Sequence, residues 1–388
     1  MVSSSRTRQG DLTLRSYREE FPITRDLAYL DHAAQGPLPE RVVQEIESYI
    51  EASQRPTREL VEYAFAAIEK ARARAAELIG ACPEEIGMGF NTSFGLNIAI
   101  QGLEMEKGDN VILSDVEFPA NVYPWLRLRE DGVEVRFAKN NNGFANLDEI
   151  FSLTDERTRA IGLSWVQFSN GFRSDLRALG DFCRSRGIFS VVDGIQGVGV
   201  LQLNVKEPKV DFLSCGGQKW LLSPCGTGFF YCAEEFQYRL RNKFAGWLAV
   251  DWGMNFSDLL KYSLEPFHDM RRFEVGTYPY QDICAFRVAL DFLVEVGIES
   301  VERQALHLTD LLLDYLRESP YEIRSSLESK HRSAIVSFSG KENQRLMERL
   351  KERRIVVSLR ERGIRVSPHF YNTEEEIERL IEVLKEEA

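Results

Sequence analysis

At 388 residues the chain is long enough for two domains with a substantial core. With 44% apolar and 28% charged residues it has the balance of a globular protein rather than a disordered one, and a formal charge of −12 argues against a nucleic-acid or anionic-membrane partner, either of which needs a basic face. No apolar run approaches the roughly 20 residues of a membrane span, and residues 1–11 are polar with no apolar signal region, so a cytoplasmic location is expected.

The six cysteines (Cys82, Cys183, Cys215, Cys225, Cys232, Cys284) keep no Cys-x-x-Cys spacing and the five histidines form no ligand pair at helical spacing. Neither disulfides nor a metal is expected.

In chain order, residues 1–20 read as a loose arm leading to a helical turn. Residues 29–39 read as extended chain ending in a Gly/Pro-rich turn, where Pro39 opens a helix to about residue 52. The small side chains of Ala33 and Ala34 leave room for a ligand, and a plain strand-to-helix connection is the alternative. Residues 59–79 carry Leu60, Tyr63, Ala64, Ala67, Ile68, Ala71, Ala75 and Leu78 at helical spacing, and Gly80 is a C-terminal stop.

From residue 86 strand and helix patterns alternate: strands over 86–90, 110–114, 133–137, 160–165, 188–192 and 210–213, with helices over 93–103, 120–130 and 176–186. That order predicts an α/β fold with a mostly parallel sheet covered on both faces. Ligands of such sheets sit beyond the carboxyl ends of the strands.

The residues at those ends are polar. After 86–90 come Asn91, Thr92 and Ser93, which would cradle a phosphate at a helix start or simply cap the helix. After 110–114 come Glu117 and Phe118, whose ring would overhang the same crevice or pack into a core. The strand 160–165 leads to Gln167 and Asn170, amides able to bond a phenolic oxygen or a substrate. Asp193 ends the run Ile-Phe-Ser-Val-Val, where a buried carboxylate needs a cationic or hydrogen-bonding partner.

The strand 210–213 leads to Gly216-Gly217-Gln218-Lys219. A lysine held there and partly desolvated is a nucleophilic amine suited to a Schiff base; a surface lysine in a loop is the bland alternative. A phosphate-binding helix start, an overhanging ring, a carboxylate for a ring nitrogen and an amine 26 residues after that carboxylate make the set that holds pyridoxal phosphate. No Gly-x-Gly-x-x-Gly follows a strand, which argues against a dinucleotide enzyme.

Over residues 29–372 the chain resembles the class V aminotransferases, the pyridoxal-phosphate superfamily that includes cysteine desulfurases, kynureninase and isopenicillin N epimerase. The resemblance is carried by Tyr29-Leu30-Asp31-His32-Ala33-Ala34, Glu117-Phe118-Pro119-Ala120-Asn121, Val192-Asp193-Gly194-Ile195-Gln196, Gly216-Gly217-Gln218-Lys219 and Arg272-Phe273-Glu274-Val275-Gly276-Thr277. It implies fold type I, with a seven-stranded-type sheet in a large domain over 21–263 and a smaller α+β domain formed by 1–20 with 264–388.

It also implies roles. Lys219 would form the Schiff base and move protons at the substrate Cα, and Asp193 would pair with the pyridinium nitrogen. Phe118 would stack on the ring, with Gln167 and Gln196 near the cofactor. Thr92, Ser93 and Gln218 would contact the phosphate, and Thr277 would reach the phosphate of the neighbouring subunit in a homodimer. His32, Ala33 and Arg365 would meet the substrate, Arg365 gripping its carboxylate.

Three departures from the desulfurase pattern stand out. Phe118 replaces a stacking histidine; Gly216 and Gln218 replace the serine and histidine of Ser-Gly-His-Lys; and residues 354–363 contain no cysteine, nor does any residue after Cys284. Cys225 lies near Lys219 in sequence, but a small buried structural residue is the expectation for it. Arg271 and Arg272 are placed to reach the site or the surface.

The remainder shows helices over 281–296 and 300–318, then 333–339, 342–353, 355–358 and 374–385 as alternating strand and helix. The expected activity is transamination of an amino acid or amine, a small-molecule substrate. Elimination or epimerisation is the alternative, and a non-catalytic module that binds pyridoxal phosphate is a third possibility.

Overall fold

Apolar runs of about five residues, too short for helices, make the centre of the fold in the computed structural model, which describes residue 14 and residues 16–253, 255–260, 262 and 265–388. Most of the N-terminal arm expected over 1–20, and residues 263 and 264 at the expected domain boundary, lie outside the described residues. After the short strand β1 (Ala28–Tyr29) come β2 (Ile86–Gly89), β3 (Asn110–Ser114), β4 (Glu134–Ala138), β5 (Thr158–Ser164), β6 (Phe189–Asp193), β7 (Phe212–Gly216) and β8 (Gly228–Cys232).

Strands β2 to β8 form one seven-stranded sheet in the order β2-β8-β7-β6-β5-β3-β4. The pairs β3/β4, β3/β5, β5/β6 and β6/β7 are parallel, while β8 runs antiparallel to both β2 and β7. The mostly parallel α/β sheet expected from the alternation is present.

Successive strand residues feed opposite cores, as a period of two requires. Ile112, Val192, Leu213 and Phe229 pack with helices Arg58–Ile79 and Tyr280–Val296, whereas Val111, Val191, Phe212 and Phe230 pack with helix Thr92–Gly102. Both faces are therefore covered, and all five residues of β3, β6, β7 and β8 are buried.

Two readings need correction. The strand expected over 210–213 runs from Phe212 to Gly216, because pairing with β6 joins Val191 to Phe212 and Asp193 to Ser214. It thus ends three residues before Lys219. The helix expected over 120–130 is broken into short turns around a helix of five residues, Tyr123–Arg127, since Pro119 and Pro124 lack the N–H that a longer helix would use. Strand β8 and helix Leu147–Ser152 were not anticipated.

The C-terminal part builds β9 (Glu322–Ile323), β10 (Val336–Ser339), β11 (Ile355–Val356), β12 (Ser358–Arg360) and β13 (Gly363–Val366). Four of these form an antiparallel sheet in the order β12-β13-β10-β9, while β11 pairs in parallel with β1. Helices Ile298–Arg317, Asn343–Glu352 and Glu374–Glu386 cover this sheet through Leu308, Leu312, Leu350, Ile377 and Leu380. The β1/β11 pairing carries the N-terminal segment to this sheet, and Ser367 N donates to Leu30 O at 2.7 Å.

Candidate active site

The carboxyl ends of the parallel strands and the loop after β1 close around a cavity of about 280 Å³. Its walls come from Ala33 and Ala34, from Asn91, Thr92 and Ser93, from Phe118 and Ala120, from Phe168, and from Asp193, Ile195, Gln196, Gln218, Lys219, Arg360 and Arg365. Sequence positions hundreds of residues apart meet there because all but Arg365, which lies within β13, follow or end a strand.

Lys219 reaches the cavity from the turn after β7. The chain there is too crowded for side chains: a Cβ on Gly217 would lie 2.3 Å from Thr227 Oγ1, and one on Gly36 would lie 2.2 Å from the Lys219 carbonyl oxygen. Gly36 N donates to Gln218 O at 2.9 Å, which fastens the loop after β1 against the lysine turn. The Lys219 amine lies 5.8 Å from the centroid of the Phe118 ring. Burial lowers its pKa to about 8, opposed by Asp193 and assisted by Arg365 and Arg360.

Asp193, the last residue of β6, is buried and accepts from Ile195 N at 3.0 Å through Oδ1. Burial raises its pKa to about 6; the hydrogen bond from Ile195 and the charge of Lys219 oppose the rise, and Glu117 adds to it.

Helix Thr92–Gly102 points its N-terminus at the cavity, capped by Asn91, whose Oδ1 accepts from Phe94 N at 2.9 Å. The capping alternative therefore belongs to Asn91. Thr92 Oγ1 accepts from Gly216 N at 2.9 Å, while Ser93 is exposed. Gln218 Oε1 is buried without a hydrogen-bond partner.

Arg365 is carried by β13 and is 2% exposed. Its Nη1 donates to Phe168 O at 2.8 Å and its Nη2 to Asp31 Oδ1 at 3.3 Å, leaving Nε buried without a partner. Asp31 Oδ1 also accepts from the Ser358 hydroxyl at 2.8 Å. Gln196 is spanned between neighbours: Nε2 donates to Ala33 O at 3.0 Å, and Oε1 accepts from Trp220 Nε1 at 2.9 Å.

Some expected residues stand elsewhere. His32 is fully buried behind the cavity wall, with Nδ1 3.1 Å from Ser367 O and Nε2 2.7 Å from the Tyr371 hydroxyl. Its neighbour Ala33, facing the other way, takes the place on the wall. Burial, and next the nearby His369, push the His32 pKa well below its usual value, so the ring is neutral.

Gln167 is likewise buried off the cavity, donating to Glu117 Oε1 at 3.2 Å, and Phe168 lines the wall instead. Thr277 is exposed and outside this chain's cavity. Arg271 pairs with Asp269 at 2.7 Å and Arg272 donates to the carbonyls of Gln237 and His268, so neither arginine enters. Cys225 is exposed rather than buried as expected, and it too lies off the cavity.

Several site features escaped the sequence reading. Arg360 and Phe168 line the cavity. Glu117 is a buried anchor, accepting from Ser164 N at 2.9 Å, Asn121 Nδ2 at 3.0 Å and the Ser164 hydroxyl, and burial raises its pKa. It ties the turn that carries Phe118 to the end of β5. Glu117 and Phe168 flank residues already singled out, but no local signal marked Arg360.

These groups fit pyridoxal phosphate. An amine of depressed pKa, a buried carboxylate with a single backbone donor and a helix N-terminus face one cavity.

The chain is 30% identical to a probable cysteine desulfurase of Methanothermobacter thermautotrophicus, over 96% of this chain and 97% of that one. It is 29% identical to the isopenicillin N epimerase of Amycolatopsis lactamdurans over 95% and 97%, and 25% identical to an uncharacterised aminotransferase of Bacillus subtilis over 94% and 96%. In fold it superposes on a cysteine desulfurase of Thermococcus onnurineus with a TM-score of 0.86, at 24% identity over 96% and 97% of the two chains. The cystine C-S lyase C-DES, in complex with cysteine persulfide, gives 0.86 at 22% identity over 94% and 98%. The family model for aminotransferase class V matches residues 28–380, and the chain therefore belongs to that family of enzymes, whose cofactor is pyridoxal 5'-phosphate.

Proposed function

We propose that the protein is an aminotransferase acting on an amino acid. The observation that carries this reading is the Lys219 amine, whose pKa of about 8 lets it take and return a proton near neutral pH, in a cavity that no cysteine among the described residues lines. A thiol to receive sulfur is therefore missing from the place where the chemistry would occur.

Each remaining residue has a part in holding the reactants. Thr92, Ser93, Gln218 and the N–H groups at the start of helix Thr92–Gly102 would hold the cofactor phosphate, with Thr277 supplied by a second copy of the chain in a homodimer. Asp193 would face the ring nitrogen and Phe118 would cover the ring. Gln196, braced by Trp220 and Ala33, would set the wall beside it. Arg365, aimed by Asp31, would hold the substrate carboxylate through its uncommitted Nε and so present Cα to Lys219. When bound, pyridoxal phosphate supplies the electron sink that stabilises charge at Cα.

Elimination from an amino acid with a sulfur leaving group is the second reading, supported by a relative that is a probable cysteine desulfurase, and it needs Lys219 only to remove the Cα proton as the leaving group departs, where transamination also needs that proton delivered to the cofactor. Epimerisation has less support, because among the described residues that line the cavity no carboxylate, imidazole, phenol or thiol other than Asp193 could hold a second proton at Cα.

The test mixes the loaded enzyme with a panel of amino acids. Keto acid formed together with pyridoxamine phosphate supports transamination, while pyruvate with ammonia or sulfide and an unchanged cofactor replaces it with elimination. Lys219→Ala should abolish turnover while keeping the circular dichroism of the native fold. Undiminished turnover in that variant would sink both readings.

A further inference from the structure

We propose that Arg360 is a second anion-binding group, and that the preferred substrate is an amino acid carrying a further carboxylate or comparable anion at the end of a short side chain. This rests on the amino-acid substrate argued above.

The placement follows from strand register. In the β12/β13 pair, Ser358 stands opposite Arg365 and Arg360 opposite Gly363. Side chains alternate along a strand, so Ser358 and Arg360 share a face, and Arg365 projects on that same face. Diagonal neighbours of this kind lie roughly 7–8 Å apart. Both arginines line the cavity that Lys219 enters. Their spacing suits two carboxylates at the ends of one short carbon chain.

The two guanidinium groups differ in what they are free to do. Arg365 is buried and committed to Asp31 and to the Phe168 carbonyl. Arg360 is exposed, donates to the carbonyl of its neighbour Leu359 at 2.9 Å and enters no ion pair among the described residues. A neutral amino acid has one carboxylate, which Arg365 would take, and nothing to offer Arg360. The charge of Arg360 at the rim works against protonated Lys219 and against Arg365 and is offset only in part by the more distant pull of Asp31, which Arg365 already holds.

There is room for the longer substrate. Arg360 and Phe168 also border a second cavity of about 300 Å³ that includes Ser169, Asn170 and Arg324. Its carboxylates Asp115 and Glu117 are occupied by hydrogen bonds from Asn140 and from Ser164, Asn121 and Gln167. Glu361 is exposed.

The test is calorimetric titration of the loaded protein with glutarate and with valerate, acids of equal length that lack an amino group. Wild type should bind glutarate about ten- to a hundredfold more tightly, the worth of one charge-assisted contact. Arg360→Gln should erase that preference and Arg360→Lys should restore part of it, with unchanged melting temperatures marking intact folds. Equal affinity for the two acids in wild type overturns the proposal. So does an equal loss for both acids in Arg360→Gln, which would put Arg360 in the α-carboxylate site.

Turnover separates this idea from the one beneath it. Glutamate or aspartate consumed faster than alanine supports the proposal, and the reverse order overturns it while leaving the aminotransferase intact. A glutarate preference without turnover of any amino acid supports the anion site and defeats the proposed reaction.

Discussion

Asp193 carries two opposed demands. Burial at the end of β6 raises its pKa to about 6 from 3.8, so the folded chain holds this proton more tightly than the unfolded chain does. The stability it contributes is complete below pH 3.8 and is lost as pH rises through 6. In the cofactor-free protein, Asp193→Asn should therefore raise stability at pH 7 by about 3 kcal/mol at most and change little below pH 4. Denaturant melts at the two pH values check this, and an equal effect at both would contradict it. A pyridinium facing the carboxylate would reverse the sign, which makes the cost in the empty protein the counterpart of affinity in the loaded one. Much at this scale was legible in the sequence, since Asp193 ends a visibly apolar strand and Lys219 follows paired glycines. His32 and Gln167 were not so legible, because which of two adjacent residues faces a cavity depends on the pairing of chains far away in sequence.

Helix Thr92–Gly102 shows how an element places a site. Its start can approach the sheet because residue 95 is glycine: a Cβ there would lie 2.3 Å from Ser214 Oγ and 2.9 Å from Phe230 Cβ. Gly95→Ala should force the helix outward, costing about 1–3 kcal/mol of stability as overpacked cores do, and weakening retention of the cofactor by moving Thr92 and Ser93. A lower denaturation midpoint with an unchanged m value, together with faster loss of bound cofactor in dialysis, is the expected result. The helix itself was plain in the sequence. Strand β8 is hard to read because its run Gly228–Cys232, set off by Ser223-Pro224-Cys225-Gly226, is short and apolar without alternation, a pattern that a buried strand shares with a buried helix segment. The strand holding Arg365 was passed over for a similar reason, being only four residues long.

At the scale of the molecule, a buried ion pair ties distant segments to the sheet. Arg72 Nη1 meets Glu274 Oε1 at 2.5 Å, both are almost fully buried, and Glu274 also accepts from Met88 N at 3.0 Å. Helix Arg58–Ile79, β2 and the segment leading to Thr277 are joined there. Glu274→Gln leaves the buried Arg72 with only the exposed Glu69, at 3.0 Å, so it should lower stability by about 3 kcal/mol, the low end for a broken buried pair, whereas replacing Arg72 and Glu274 together by apolar residues of similar volume should recover most of the loss. Thermal unfolding of the two variants decides it, and a double variant no better than the single one would refute the account.

The sequence by itself determined what is local or additive: an acidic globular chain, alternating strands and helices with one mostly parallel sheet, and polar residues waiting at the strand ends. Those features depend on composition and on neighbours a few positions away. Tertiary structure alone decided the antiparallel course of β8, the turning of Ala33 and Phe168 toward the cavity in place of His32 and Gln167, and the presence of Arg360 beside Arg365. The first two follow from contacts between segments remote in the chain, whereas Arg360 meets Arg365 through the register of the adjacent β12/β13 hairpin; in each case register is chosen by which faces can be buried together, which a short stretch of residues does not settle by itself.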